Sequence, residues 1–168
     1  MSVSVILSAL SKSNVPERCY SFVVTQSMHE TADFTSNVFR KLNNGFGMKQ
    51  PSVRPTLSIG ESSIVVKSEG LRGYATYNNL TDSVNDLLYW LKYNKIDWTK
   101  INSFEDYAKF LKSKGYYGDP LSVYLNGMKN ALKRLGQNGL VVNSTAVVFL
   151  PLLVVCSGFY LLYRLFYV

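Results

Sequence analysis

No charged residue stands between Arg134 and Arg164, and from Leu140 to Tyr163 the chain is almost wholly apolar. A helix over residues 140–163 would be about 36 Å long at ~1.5 Å per residue, which exceeds the ~30 Å hydrocarbon core of a bilayer. The run therefore predicts a C-terminal transmembrane helix, in which Pro151 is a tolerated kink. Tyr160, Tyr163, Phe166 and Tyr167 with Arg164 have the make-up of an interfacial belt at its far end. The competing reading is a buried helix of a larger assembly.

The rest of the chain is different in kind. Met1 to Ser13 lacks the basic start of a signal peptide, and its apolar stretch, Val3 to Leu10, is broken by Ser4 and Ser8. It is read as a loose or partner-bound arm. Residues 14–135 then form one domain, and 136–168 a linker and membrane anchor. The chain carries 18 basic and 11 acidic side chains, a net +7, which suits an anionic polymer or an anionic membrane face. Nucleic acid is not an expected partner, because no helix-turn-helix, zinc-finger or RNA-binding signature and no dense basic run is present. The one histidine, His29, leaves no second imidazole for a zinc site of the usual composition. Cys19 and Cys156 read as free thiols rather than a disulfide framework. No metal and no cofactor is expected.

Helical signals dominate the domain. Asn14, Pro16 and Glu17 have the order of a capped start, and Val15, Cys19, Phe22, Val23 and Gln26 follow helical spacing. That helix should end near Met28–Thr31, with Glu30 in its last turn. Three more helices are predicted. One begins near Thr81 with the stripe Val84, Leu87, Leu88, Leu91, and another begins at Ser103 with Asp106 as a box-like partner. In the second, Phe104, Tyr107, Phe110 and Leu111 should face inward. The third opens at Asp119–Pro120, a capping residue before a helix-starting proline, and carries Leu121, Tyr124, Leu125, Met128, Leu132 and Leu135 on one face. Between them, Ser62–Lys67 and Gly73–Tyr77 read as a short β-hairpin.

Glu30 is the residue to which chemistry is first assigned. A carboxyl at a helix C-terminus, beside His29 and among apolar side chains, is disfavoured as an anion by burial and by the helix dipole. Both push its pKa upward, as a general acid requires. Its context strengthens the assignment. The segment Thr25–Lys49 (TQSMHETADFTSNVFRKLNNGFGMK) resembles the flagellar-type glucosaminidases of glycoside hydrolase family 73. In that family a Q-x-x-x-E-(T/S)-x-x-x-(S/T) pattern ends a helix and is followed by an N-N-L-F-G-I-K turn. Gln26, Glu30, Thr31 and Thr35 or Ser36 occupy the first pattern; Asn43, Asn44, Phe46, Gly47 and Lys49 match the second, with Gly45 and Met48 as departures. Tyr74–Leu91 is similar to the family's strand-end tyrosine followed by (E/D)-S-(I/V/L)-x-D, and Gly115–Pro120 (GYYGDP) to its G-Y-A-T-D-P segment.

The resemblance implies an α+β, lysozyme-like and mostly helical domain with a short β-hairpin lobe. It implies hydrolysis of the β-1,4 bond of the peptidoglycan glycan strand, with Glu30, a second acid and Tyr116 as catalytic residues. Glu61 is the first choice for the second acid, Glu69 the second and Asp33 the third. Without one, the substrate's own acetamido group would attack. Asn44, Phe46, Gly47, Tyr74 and Tyr77 are the expected substrate-binding residues. Its partners would be the glycan strand, a bilayer through residues 140–163, and other virion or membrane proteins. With no signal peptide and the cationic flank Lys129, Lys133, Arg134, the expected setting is the inner membrane of a membrane-containing bacteriophage. A lysis protein and a secretion component are rival settings. The competing class is a catalytically inactive, glycan-binding or structural membrane protein.

Overall fold

In the computed structural model, the structure describes residues 2–65 and 73–137, and the short pairs 142–143 and 146–147. The chain runs through α1 (Ser2–Leu10), α2 (Tyr20–Glu30), α3 (Asn37–Leu42), β1 (Gly60–Val65), β2 (Gly73–Thr76), α4 (Leu80–Tyr93), α5 (Phe104–Ser113) and α6 (Leu121–Gln137). Two two-residue strands, β3 (Val142–Asn143) and β4 (Ala146–Val147), pair antiparallel after it. The architecture is mostly helical with a small antiparallel sheet, the α+β arrangement expected. Among the described residues no helix is long and apolar enough to cross a membrane. The expected span, Leu140–Tyr163, falls almost wholly outside the described residues, as does Cys156.

The N-terminal arm is corrected to a docked helix. Ile6, Leu7, Ala9 and Leu10 of α1 are buried, and the helix packs on α4 and α2. Ser4 and Ser8, taken as interruptions, lie on its exposed side. The start of α2 is also later than expected. Pro16 precedes a 3₁₀ turn at Glu17–Cys19, and no side chain caps either it or α2. The other starts follow local chemistry. The Asn79 side chain accepts from the Asp82 N–H at 2.9 Å ahead of α4. Ser103 accepts from the Asp106 N–H at 3.1 Å, while Asp106 reaches back to the Asn102 N–H. On α6 the inward stripe is Tyr124, Leu125, Met128, Ala131 and Leu135, whereas Leu132 is exposed.

The core lies between α2, α6, α5 and α1. Phe22 meets Phe104 edge-on at 4.6 Å, and the Tyr107 hydroxyl donates to Gln26 Oε1 at 2.7 Å, pairing two buried oxygen atoms. The hairpin pairs Gly60 with Thr76 and Glu61 with Ala75, then shifts register before Val65 meets Gly73. The opposite edge of β2 is taken by the segment after α3, through the Ala75 N–H to the Met48 carbonyl at 2.9 Å and the Tyr77 N–H to the Leu42 carbonyl at 2.9 Å. This joins the small sheet to the helical body.

Candidate active site

Glu30 is the last residue of α2, as its sequence position implied. The helix is stopped by an unusual turn. Ala32, Asp33 and Phe34 all adopt left-handed backbone, at φ 48°, 55° and 66°. Each such residue costs about 1–2 kcal/mol, so the turn must be held. Thr31 holds it from within, donating to the Ser27 carbonyl at 2.6 Å and accepting from the Phe34 N–H at 2.9 Å. Arg134 of α6 holds it from outside, through both Asp33 carboxylate oxygens at 2.7 and 3.0 Å. Asp33 is thereby committed to structure.

Tyr124 and Gly47 both bear on the Glu30 carboxyl. Its Oε1 accepts from the Tyr124 hydroxyl at 2.6 Å. Its Oε2 lies only 3.2 Å from where a Cβ on Gly47 would stand, and Gly47 has φ +61°. A side chain at 47 would both strain the backbone and crowd the carboxyl. Burial and the Glu30 charge push the phenols of Tyr124 and Tyr116 well above their ordinary pKa, so both stay protonated donors. Tyr124 is stacked on Tyr117 at 3.7 Å and meets the His29 ring edge-on at 5.0 Å. His29 rests above Gly127 of α6, where a Cβ would stand 2.2 Å from its Cε1. Burial lowers the His29 pKa against the opposing pull of Asp119, and Arg134 lowers it further.

The turn after α3 is anchored by hydrogen bonds within itself and by others from α2, β2 and α4. Asn44 is fully buried; its side chain accepts from the Phe46 and Met48 N–H groups and donates to the Met48 and Ala75 carbonyls. Ser27 donates to the Gly45 carbonyl, and Ser83 of α4 accepts from the Gly45 N–H. Where the family motif carries Leu, Gly45 leaves room for Leu80, whose Cδ1 would lie 2.7 Å from an added Cβ. Tyr116 reaches this turn from the far side, donating to the Phe46 carbonyl. It is placed by the end of α5, where Gly115, at φ +69°, lets the Tyr116 N–H bond the Leu111 carbonyl at 3.0 Å. Lys112 closes the loop over the Gly118 and Asp119 carbonyls at 2.6 and 2.7 Å.

These parts surround an open cleft of about 810 Å³. Glu30 lines it, with Gly47 and Lys49 from the turn, Tyr74 from β2, Trp90 and Tyr93 from α4, and Tyr116, Tyr117 and Tyr124. Lys49 lies over the Tyr74 ring at 4.1 Å, and Trp90 meets Tyr116 edge-on at 5.0 Å. Polar groups beside part-exposed aromatic rings suit the hydroxyls and the apolar ring faces of a sugar chain.

Of the expected site residues, Glu30, Tyr116, Gly47 and Tyr74 come together here. Asn44, Phe46 and Tyr77 do not line the cleft; all three are buried, and their roles are structural. Tyr77 donates to Asp86 at 2.8 Å, and Asp86 also takes both Arg54 nitrogens at 2.8 Å. That group ties the loop after Pro51 to α4. Glu61 is exposed, does not line the cleft, and accepts from the Gly73 N–H inside its own hairpin. Glu69 lies outside the described residues. Tyr124 and Asp119 also line the cleft, although their sequence signals read as core stripe and helix cap.

The family model for "Glucosaminidase: Mannosyl-glycoprotein endo-beta-N-acetylglucosaminidase" matches residues 5–139. No curated protein matches the chain. A chain from a type VI secretion system effector–immunity complex of Pseudomonas protegens is similar at 20% identity and TM-score 0.53, covering 78% of this chain and 85% of that one. The catalytic domain of the autolysin Auto from Listeria monocytogenes is similar at 16% identity and TM-score 0.52, covering 80% of each chain. At these identities the likeness is one of fold.

Proposed function

The chain belongs to the glucosaminidase family and is a glycoside hydrolase, and from that premise we propose that it cuts the β-1,4 bond of the peptidoglycan glycan strand with Glu30 as general acid. The observation that carries the reading is the placement of the Glu30 carboxyl in the open cleft, held by Tyr124 at 2.6 Å and approached by Gly47. In the reaction the protonated carboxyl gives its proton to the glycosidic oxygen as the bond from that oxygen to C1 breaks. Positive charge then builds on C1 and the ring oxygen. Tyr124 steadies the carboxylate left behind, and Tyr116, fixed on the Phe46 carbonyl, shapes the wall beside it.

Replacing Glu30 by Gln keeps size and hydrogen bonding but removes the proton. Digestion of purified peptidoglycan by the full chain in detergent should fall at least ~10²-fold, with an unchanged circular dichroism spectrum. Undiminished cleavage would overturn the assignment.

For residues 140–163 we propose a bilayer tether, supported by their charge-free apolar length and by the flank Lys129, Lys133, Arg134. The full chain should partition into a detergent phase; recovery in the aqueous phase would exclude the tether. A hydrolase held in this way suits a membrane-containing bacteriophage particle, a setting tested by its co-purification with such particles.

A further inference from the structure

The cleft runs past Tyr116 onto the last turn of α4, to side chains that the proposed reaction does not use. Tyr93 and Asn94 line it there, with Lys114 and Gly115 from the end of α5. The wall can be followed outward from the acid. Glu30 Oε2 stands beside Gly47, and the carbonyl of the neighbouring Phe46 accepts from Tyr116. Tyr116 meets Trp90 edge-on at 5.0 Å, and Tyr93 follows Trp90 about one turn along α4.

Tyr93 differs from the other aromatic residues of this wall. Trp90 and Tyr116 pack against the core, and Trp90 also meets the Phe110 ring at 6.4 Å. Tyr93 is 54% exposed and, among the described residues, makes no hydrogen bond and no ring contact. Exposure alone carries no meaning, since single apolar side chains are ordinary at a surface. Tyr89, one turn earlier and 44% exposed, is such a residue, because it does not line the cleft. The place of Tyr93 is what sets it apart.

The helix end beneath Tyr93 is firmly tied. The Asn94 N–H donates to the Trp90 carbonyl at 3.0 Å, and the Asn94 side-chain Nδ2 donates to the same carbonyl at 2.9 Å. The chain then turns away through Lys95, at φ 58°, with the Ile96 N–H on the Leu91 carbonyl at 3.0 Å. That arrangement uses the Asn94 nitrogen and leaves its Oδ1 to accept. Lys114 brings a donor, its amine 6.0 Å from the ring of Phe110, which braces Trp90. An uncovered ring, an acceptor and a donor thus stand together on a held backbone. A pyranose offers the complement: one apolar face, a rim of hydroxyls and, in an N-acetylhexosamine, an acetamido group that both donates and accepts.

Resting on the reading of this cleft as the place where a glycan strand is cut, we propose that Tyr93, with Asn94 and Lys114, forms a further sugar subsite. It holds an N-acetylhexosamine of the same strand other than the ring that Glu30 serves. The sugar stacks on Tyr93, donates to Asn94 Oδ1 and accepts from Lys114. Since the subsite touches no reacting atom, it binds ground state and transition state alike, and its contribution appears in KM rather than in kcat.

The test assays Tyr93→Ala, Tyr93→Phe, Tyr89→Ala and Glu30→Gln, each in the full chain in detergent, on soluble uncrosslinked glycan strands of peptidoglycan. Tyr93→Ala should raise KM about tenfold at unchanged kcat and melting temperature. Tyr93→Phe, which keeps the ring, should recover most of that loss, and Tyr89→Ala should match the wild type. An unmoved KM in Tyr93→Ala, a Phe variant no better than Ala, an equal rise in Tyr89→Ala, or a fall in kcat in place of the rise in KM would each overturn the subsite. Glu30→Gln separates the two readings, because its loss should fall on kcat. If it is inactive while Tyr93→Ala behaves as wild type, the subsite alone falls; if it is fully active, the acid assignment falls and the Tyr93 values of KM still decide the subsite.

Discussion

Asp86 is held by partners that its neighbours in sequence do not reveal. It is fully buried, yet it accepts from Arg54, Tyr77 and the Leu57 N–H. Burial alone would raise its pKa, but the hydrogen bonds from Arg54, Tyr77 and Thr56, together with the Arg54 charge, outweigh it and leave the carboxyl below its usual range. Replacing Asp86 by Asn would leave a guanidinium only 4% exposed without its counter-charge. Breaking a buried pair in that way costs about 3–5 kcal/mol, so the variant should unfold at markedly lower urea concentration. Because the native pKa is depressed, the contribution is complete above about pH 3.8 and is lost as pH falls through the lower native value. A wild-type urea midpoint for Asp86→Asn would refute the structural role. The residue itself was visible in the DSVND segment, but its partner was not. Arg54 lies 32 positions away in a proline-broken loop, where no periodicity links them. The same blindness hid Tyr124: a residue on the inward stripe of a helix looks like core whether its hydroxyl meets a carboxylate or nothing. Glu30 was legible for the opposite reason, since its place at a helix end is a local property.

At the scale of elements, the hairpin and the helices from Leu80 onward were readable because caps and stripes are written within a few residues of one another. α2 was mis-started because Asn14, Pro16 and Glu17 mimic a capped helix, whereas the chain there first makes a 3₁₀ turn. On α6, two glycines test what the element is built around. Alanine is the better helix former by roughly 0.5–1 kcal/mol. At Gly136 nothing lies within 4 Å of an added Cβ, so Gly136→Ala should raise the melting temperature. At Gly127 the same change would place Cβ against the His29 ring, so that gain should vanish and the ring be displaced. Equal stabilisation by both would show that His29 does not need the notch.

For the whole molecule, the largest surprise is α1. Ile6, Leu7 and Leu10 recur at helical spacing, but with serines between them the pattern resembled broken hydrophobicity rather than one face of a helix. What the residues were buried against could not be read, because α4 lies some seventy positions downstream. Fully burying each such side chain is worth about 1.5–3 kcal/mol, and domains of this size are stable by only about 5–15 kcal/mol. Deleting residues 2–13 should therefore abolish cooperative thermal unfolding followed by circular dichroism. A truncated chain with the wild-type transition would mean that α1 is dispensable after all.

Trp90, set edge-on to Tyr116 in the cleft wall, gives the molecule a light-emitting group at the place where sugar would bind. The chain has two tryptophans, and the other, Trp98, is stacked on the buried Tyr107 and does not line the cleft. With Trp98 replaced by Phe, every photon excited at the indole band would come from the cleft. Occupancy, exchange and release of a glycan could then be followed in real time without a label, a dye or turnover.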